Sequence, residues 1–349
     1  MSNQPSTFSD HDPTAADRKK DHIELAFKSQ VDQMKIDQRF YYEPVLAGHP
    51  KDENIITKNF LGKVLHLPIW VSSMTGGTAR AATINKNLAR ACGEFGMSMG
   101  LGSCRSLLTE DTYLADFQVR SYMQDQPLYA NLGIAQVQQL LDSGQESQIK
   151  TLVDKLEADG LIIHINPLQE WLQPEGDRYF QSPLHTITQL LDRMDIRLIV
   201  KEVGHGMGPK SLEALLDLPL EAVEFAASGG TNFSKIELAR ADQKKQDVYD
   251  DLCFVGHDAT EMVQLVNKIC LKKPDFRNTK QIIISGGIKN FLDGYYLTQT
   301  CHIPAIYGQA AAFLRHAMGS YEALQAYVET QKQGLLLAHT LLQPKNTDN

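Results

Sequence analysis

The chain has 349 residues, of which 42% are hydrophobic and 22% are charged, and its formal net charge is −8. This composition is typical of a globular protein, and the negative charge gives no global support for binding a nucleic acid or an anionic membrane. The five cysteines form no C-x-x-C pair, so the sequence lacks the usual pattern of a zinc ribbon or a thioredoxin-like site.

The two ends of the chain are polar. Residues 1–17 contain no apolar segment of the kind found in a signal peptide, and no run in the chain reaches the roughly 18 apolar residues of a membrane helix. We therefore expect a cytoplasmic protein, with reduced cysteines, that does not enter a membrane. Residues 1–17 and 343–349 are predicted to be flexible tails.

Eight short apolar segments follow one another along the chain with room for a helix after each. They are Leu65–Ser72, Gly96–Gly100, Leu128–Leu132, Gly160–Ile165, Arg197–Val203, Ala222–Ala226, Gln281–Ile284 and Ala305–Gly308. Several are apolar at every position, which suits parallel strands buried on both faces. Amphipathic helical patterns lie between them, at Ala79–Phe95, Ile149–Ala158, Pro183–Met194 and Thr260–Leu271.

This alternation predicts an α/β fold, a single (β/α)8 TIM barrel over residues 18–342. An open, doubly wound sheet fits the same alternation and stays an alternative. Two segments lie outside the repeat. A charged helical stretch, Arg18–Gln30, precedes the first strand, and a polar excursion at 233–256 follows the sixth; the excursion is either a lid or a solvated charged helix.

Glycines follow the sixth, seventh and eighth predicted strands, where a barrel frequently binds phosphate. They occur in Ser228-Gly229-Gly230-Thr231, in Gly286-Gly287 and at Gly308. Glycine lets the backbone approach a ligand closely, and N–H groups ahead of a helix attract anions. Each loop alone could be a tight turn, but glycine-rich loops in adjacent positions favour a phosphate site.

Other polar residues occupy strand ends. Lys201 lies in the apolar run Arg197–Val203, where a lysine is costly to bury without an electron-rich partner, so it is more readily explained by function than by structure. Glu170 could hold Mg²⁺ together with ligand phosphates, or it could be a charge at a helix N-terminus. His164 alone is typical of a core histidine, but Asn166 and Gln169 beside it favour a ligand-facing position. The basic cluster at Arg18 and Lys19 is either a solvated helix start or a diphosphate clamp.

Five strings appear together in one order: Arg-Lys-x-x-His from Arg18, Ser-Met-Thr-Gly-Gly from Ser73, His-x-Asn-x-x-Gln-Glu from His164, Lys-Glu-Val-Gly from Lys201 and Ser-Gly-Gly-Thr-Asn from Ser228. As a set they resemble type 2 isopentenyl diphosphate isomerase, the FMN-dependent form, over residues 18–314. The resemblance implies reversible interconversion of isopentenyl diphosphate and dimethylallyl diphosphate. It also implies FMN in its reduced form, Mg²⁺, NADPH as a flavin reductant, no net redox change, and a homo-oligomer, either a tetramer or an octamer.

The resemblance also implies roles for individual residues. Those implied to hold FMN are Ser73, Met74, Thr75, Ser103, Asn131, Lys201, Ser228, Thr231, Gly287, Ile288, Lys289, Ala310 and Ala311. Those implied to bind the substrate are Arg18, Lys19, Ser103, Arg105, His164, Asn166 and Gln169. Gln169 and His164 are the implied catalytic residues, and Glu170 is the implied magnesium ligand. Proton transfer through the flavin would explain why the sequence shows no obvious acid–base pair.

One position departs from the family pattern, and two other functions compete with it. The family usually has Ser-Gln-Arg where this chain has Ser103-Cys104-Arg105, which puts the contact of the middle side chain in doubt. An FMN-dependent 2-hydroxy acid oxidase needs a histidine base and arginines, and Ala227–Asn232 contains neither. A non-catalytic flavin- or phosphosugar-binding barrel would leave Gln169, Glu170 and the basic cluster at Arg18 unexplained.

Overall fold

The computed structural model describes residues 15–73, 79–273 and 278–345. Its strands are β1 (Phe40–Tyr42), β2 (Lys58–Phe60), β3 (Lys63–Leu65), β4 (Ile69–Val71), β5 (Ser98–Gly100), β6 (Leu128–Gly133), β7 (Gly160–His164), β8 (Leu198–Lys201), β9 (Ala222–Glu224), β10 (Ile282–Ser285), β11 (Ala305–Gln309) and β12 (Leu342–Pro344). Its helices are α1 (Ala15–Leu25), α2 (Ala79–Phe95), α3 (Leu114–Phe117), α4 (Arg120–Met123), α5 (Ile134–Asp142), α6 (Ser147–Lys155), α7 (Pro167–Leu172), α8 (Pro183–Arg193), α9 (Pro209–Leu216), α10 (Phe233–Arg240), α11 (Gln243–Tyr249), α12 (Ala259–Lys272), α13 (Phe291–Thr300), α14 (Ala311–Ala317) and α15 (Tyr321–Leu341). Short 3-10 turns cover Gln33–Lys35, Glu53–Ile56, Arg105–Leu108 and Asp250–Phe254.

Eight parallel strands, β4 to β11, close into a barrel in chain order. Closure occurs where β11 pairs with β4, with Gly308 beside Trp70. The predicted (β/α)8 barrel is thereby confirmed, and the open doubly wound sheet is excluded, because an open sheet would leave these two strands unpaired. All eight predicted strands are present in the expected order.

Residues on the two faces of each strand belong to different parts of the core. On β7, Ile162 faces the barrel interior, where it packs with Trp70 and Tyr129, whereas Leu161 and Ile163 pack in the large outer layer beneath the helices. Burial on both faces is the reason that these strands are apolar at every position. The hairpin β2–β3 closes the amino-terminal end of the barrel.

Several helices begin with a proline or with an N-cap side chain. Proline occupies the first helical position of α7, α8 and α9, where its missing N–H costs nothing. Elsewhere an N-cap side chain accepts a backbone hydrogen bond, as Asn232 does from Lys235 at α10. Among these helices α7 begins closest to its strand, three residues after β7 ends, whereas seven residues separate β8 from α9 and eight separate β9 from α10.

The predicted first strand was too long. Leu65 belongs to hairpin strand β3, and the barrel strand is Ile69–Val71. Pro68 separates the two because proline cannot donate a ladder hydrogen bond. The predicted C-terminal tail 343–349 also began too early, since Gln343 and Pro344 pair with Tyr41 and Phe40. At the other end, α1 begins at Ala15, inside the predicted tail 1–17.

Two segments outside the barrel repeat have different surroundings. Residues 17–38, which include α1 from Asp17 onwards, are exposed at every position. The excursion 233–256 forms α10, α11 and a 3-10 turn, and Leu238 of α10 packs against Leu172 of α7. The excursion is therefore anchored to the barrel through α10, whereas α11 contains no buried residue.

Candidate functional site

A cavity of about 570 Å³ lies at the carboxyl ends of the barrel strands. It is formed by the ends of β4, β8, β9, β10 and β11 and by the loops that follow them. Its lining includes Ser72, Ser73, Lys201, Glu224, Thr231, Gly286, Gly287, Ile288, Lys289, Gly308, Ala310 and Ala311. The carboxyl ends of the strands are where barrel enzymes place their active sites.

The glycine loops after β9 and β10 pack against each other at one side of this cavity. Gly229, Gly286 and Gly287 have φ values of +102°, +90° and +71°. A Cβ atom on Gly286 would lie 2.1 Å from the carbonyl oxygen of Ala227, so no larger residue fits there. The backbone of these loops is thus left-handed at three glycines, and the two loops lie very close to each other. Loops of this kind can direct backbone N–H groups at a phosphate.

The floor of the cavity carries an unsatisfied polar group. The Ser73 hydroxyl is buried and has no hydrogen-bond partner within the described part of the chain. Buried hydroxyls are normally hydrogen-bonded, so a polar ligand atom in the cavity would supply the missing hydrogen-bond partner of Ser73. The glycine cradle and this orphaned hydroxyl suit a polar ligand that carries a phosphate.

Lys201 ends β8 and projects into the same cavity. Its ammonium donates to the carbonyl oxygen of Glu202 at 2.8 Å. Burial lowers the pKa of Lys201, and the negative charges of Glu224 and Glu202 act in the opposite direction. Glu224 was not predicted as a site residue, although the signal that singled out Lys201, a charged residue inside an apolar strand, applies to it equally.

A second cluster adjoins the cavity because His164 of β7 is the register neighbour of Lys201. The Nδ1 atom of His164 lies 2.9 Å from Oδ1 of Asn131, whose Nδ2 donates to the Leu101 carbonyl at 3.0 Å. This orientation of Asn131 assigns the proton to Nδ1 and leaves Nε2 as an acceptor. Burial, aided by the charge of Lys201, lowers the pKa of His164 to about 3, so the ring is neutral at pH 7.

Asn166 organises the start of α7. Its Nδ2 donates to Oε1 of Gln169 at 3.1 Å and to Oε1 of Glu170 at 2.9 Å. Its own Oδ1 is buried without a partner among the described residues. The cluster therefore holds a second orphaned acceptor, close to a carboxylate, which suits a bound cation or a ligand donor.

Asp177 connects residues that the sequence predicted to bind the substrate and the metal. Its carboxylate accepts from Arg105 at 2.7 Å and from Gln136 at 2.8 Å, and its backbone N–H donates to Oε2 of Glu170 at 2.7 Å. Arg105 and Glu170 are thus brought together through one residue. Sequence reasoning missed Asp177, which lies in an irregular loop that carries no periodic signal.

Glu170 is the candidate metal ligand. In the ranges 15–73, 79–273 and 278–345, no group of three or more His, Cys, Asp or Glu side chains is arranged to hold a metal ion. A single carboxylate fits Mg²⁺ that takes its remaining ligands from substrate phosphates and water. Glu170 therefore fits a bridging Mg²⁺ and does not fit a metal held by the protein alone.

The excursion supplies a further buried carboxylate. Glu237 of α10 is only 5% exposed, pairs with Arg240 at 2.7 Å and accepts from Nε2 of Gln169 at 3.4 Å. It was not predicted because its position depends on how α10 packs on α7. The Gln169 amide is consequently fixed at both ends, by Asn166 and by Glu237.

The remaining predicted residues have varied positions. Ser228 donates its hydroxyl to the His205 carbonyl at 3.3 Å and is absent from the cavity lining. Ser103 is exposed, whereas the Cys104 thiol is buried and contacts the Gly102 carbonyl. Arg18 and Lys19 are exposed on α1, apart from the cavity lining. Met74 and Thr75 lie outside the described residues.

Relatives of known name match nearly the whole chain. The isopentenyl-diphosphate delta-isomerase of Rickettsia rickettsii is 36% identical over 330 residues, which is 92% of this chain and 92% of that protein. That of Rickettsia bellii is 34% identical over 339 residues, 93% of this chain and 94% of that protein. The chain belongs to the isopentenyl-diphosphate delta-isomerase family. It is an isomerase, as the motif resemblance predicted. No family model matches the chain.

Solved structures with the same barrel support the fold. The flavin-binding domain of baker's yeast flavocytochrome b2 superposes with a TM-score of 0.57 at 11% identity, covering 86% of this chain and 71% of that chain. A mandelate oxidase variant gives 0.54 at 10% identity and covers 88% of this chain and 87% of that chain. At such identities the likeness extends to the architecture alone. Within the part of the chain that the structure describes, no helix is long and apolar enough to span a membrane.

Proposed function

We propose that this isomerase interconverts isopentenyl diphosphate and dimethylallyl diphosphate, with reduced FMN and Mg²⁺ and without net redox change. The observation that carries the proposal is that two candidate ligand sites lie next to each other. They adjoin where His164 on β7 is paired in register with Lys201 on β8. On one side lies the glycine-lined cavity, and on the other lies the cluster around Glu170. A flavin and a diphosphate substrate would therefore meet at these two residues.

The cavity would hold FMN. Gly287, Ile288, Lys289, Ala310 and Ala311 line the side suited to its phosphate. Ser73 and Lys201 line the floor and would contact the ring, joined by Thr231 from the loop after β9. When bound, the reduced flavin supplies an electron-rich ring that can stabilise positive charge and exchange a proton. Lys201 would stabilise negative charge on that ring.

The adjoining cluster would bind the diphosphate. Glu170 supplies a carboxylate oxygen for Mg²⁺, and Asp177 holds Arg105 beside it. His164 is neutral and adds no charge to this cluster. Asn166 fixes the carboxylate of Glu170, so the metal ligand is oriented before substrate arrives. Ser103, on the exposed loop beside Arg105, would add a hydroxyl.

The proton chemistry would depend on Gln169. The reaction adds a proton to the terminal alkene carbon and removes one from the allylic carbon, so the double bond moves and no electrons are lost or gained. Gln169 is held by Asn166 and Glu237, and Glu237 is a buried carboxylate that accepts a hydrogen bond from the Gln169 amide. Gln169 would orient the alkene, and Glu237 would provide a route for the exchanged proton.

An oxidase of the mandelate type is disfavoured even though it shares the barrel. Oxidation of a hydroxy acid requires a base and arginines for the substrate carboxylate. The loop after β9, Ala227–Asn232, supplies neither, and the nearby His164, whose pKa is lowered to about 3, is a weak base. We propose that NADPH serves only to reduce the flavin, and that the protein works in the cytoplasm.

We also propose a homo-oligomer in which the segment of residues 17–38, named here the arm, reaches a neighbouring protomer. The arm is exposed throughout and carries large apolar residues at high exposure, including Phe27 at 84% and Met34 at 93%. Contiguous exposed apolar surface marks interaction sites. A tetramer or octamer would cover it and bring Arg18 and Lys19 to the neighbour's diphosphate.

The proposed reaction is tested with purified protein, FMN reduced by dithionite, MgCl₂ and isopentenyl diphosphate under anaerobic conditions. Proton NMR should show dimethylallyl diphosphate forming, and the reverse reaction should give the same final mixture. Substrate that stays unchanged with saturating reduced FMN and Mg²⁺ would contradict the proposal.

A further inference from the structure

The barrel interior contains a buried carboxylate to which the proposed mechanism assigns no role. Glu224 of β9 is the register neighbour of Lys201 on β8, and its side chain has 0% exposure. Both side chains line the same cavity. An ionised carboxylate in such a place is stable only when it is hydrogen-bonded and charge-compensated.

Three donors hold the Glu224 carboxylate. Its Oε1 accepts from the hydroxyls of Ser72 at 2.7 Å and Ser285 at 3.0 Å, and its Oε2 accepts from the Trp70 indole at 3.1 Å. These donors come from β4 and its carboxyl end and from β10, so the carboxylate is fixed from two sides of the barrel.

Three titratable groups surround Lys201. His164 on β7 is neutral, and Glu202 precedes the loop after β8. The Oε2 atom of Glu202 already accepts three backbone N–H groups, from Gly204 and His205 at 2.6 Å and from Gly206 at 3.1 Å. Glu224 lies on the adjacent strand and lines the same cavity as the lysine, and its negative charge raises the pKa of Lys201 more than that of Glu202 does.

We propose that Glu224 is the counter-ion of Lys201, a positioning residue that keeps a protonated lysine at the floor of the cavity. The proposal rests on the proposed function only for the identity of the cavity's ligand, since the charge balance between Glu224 and Lys201 needs no flavin. If Glu224 balances the lysine, the cavity contains a positive charge localised at Lys201, while the two side chains together carry no net charge. A ring that gains electron density would then be stabilised without burying an isolated cation.

A double-mutant cycle tests the pair in the full-length protein without added flavin. Glu224→Gln should lower the midpoint of urea unfolding by roughly 1 M, because it leaves a buried ammonium uncompensated. In a Lys201→Met background the same change should raise the midpoint, because there it removes a lone buried carboxylate. A lowering of equal size in both backgrounds would overturn the proposal.

The pH dependence separates a charge role from lost packing. In Glu224→Gln the folded-state pKa of Lys201 falls further below its unfolded value, so above the folded pKa the unfolded chain binds more protons and stability rises with pH. The midpoint deficit relative to wild type should therefore shrink as the pH rises towards the unfolded value of 10.5. Ser285→Ala is the matched control, since it removes two hydrogen bonds, one to Glu224 and one from the Ala226 N–H, and no charge, and its deficit should stay constant.

Two outcomes keep the test decisive. If Glu224→Gln does not fold, the Lys201→Met/Glu224→Gln double variant should fold, and its failure as well would refute the pairing. A flavin titration of wild type, run in parallel, reports on the proposed function separately. Protein that binds no FMN removes the proposed ligand, whereas the urea cycle still decides whether the ion pair exists.

Discussion

His164 shows how one residue's surroundings fix its chemistry. Its folded pKa of about 3 lies below the unfolded value of 6.5, so between these values the unfolded chain binds more protons. Stability from His164 is therefore complete above about pH 6.5 and is lost as the pH falls towards 3. Urea unfolding from pH 7 to 4 should show a shallower loss in His164→Gln than in wild type. Equal slopes would mean that the imidazole is not held neutral.

Glu170 is the residue on which the proposed metal requirement depends. Glu170→Gln keeps the shape of the side chain but removes the charge, so the Mg²⁺ concentration for half-maximal isomerisation should rise roughly tenfold or more. The measurement is the initial rate against MgCl₂ at saturating reduced FMN.

Glu175→Gln is the matched control for that change. Glu175 lies five residues further along, is 56% exposed and pairs with Arg240. Its loss should leave the Mg²⁺ requirement within about twofold of wild type, because exposed ion pairs contribute little. An unaltered requirement in Glu170→Gln would remove Glu170 from the metal site.

At the scale of elements, the loop between β10 and α13 depends on glycine. Gly286→Ala should lower the free energy of unfolding by about 2 kcal/mol, since it adds a Cβ against Ala227 at positive φ. It should also weaken FMN binding, because the cradle must open to accommodate the methyl group. Gly48→Ala, where a Cβ has no neighbour within 4 Å, is the control. Unchanged stability and affinity in Gly286→Ala would contradict the cradle.

The sequence was sufficient for the elements whose pattern is local. Ile282-Ile283-Ile284 is apolar on both faces, and that run alone predicts a buried parallel strand. The pairing of β12 with β1 was missed because it joins residues about 300 positions apart and includes a proline. Lys201 was recognised in its apolar strand, whereas Glu237 and Asp177 gain their positions only from the packing of α10 and a loop on α7. Tertiary placement of that kind leaves no periodic trace in a single sequence.

At the scale of the whole molecule, the arm is the segment whose surface the single chain does not bury. If it acts on a neighbouring protomer, Arg18→Ala/Lys19→Ala protein and Glu170→Gln protein should each be nearly inactive at low Mg²⁺. Coexpressed together, they should recover roughly a quarter of the wild-type rate, because mixed assemblies contain sites with both intact parts. No recovery in mixed assemblies that are shown to form would mean that the arm does not act between protomers.

The most direct test of the central claim counts turnovers against reducing equivalents. A sealed, anaerobic sample receives a known amount of FMN reduced once, Mg²⁺ and a large excess of isopentenyl diphosphate. The expected result is many molecules of dimethylallyl diphosphate per flavin, with the flavin still reduced at the end, because isomerisation consumes no electrons. Product limited to one molecule per reduced flavin, or formed while the flavin becomes oxidised, would contradict it.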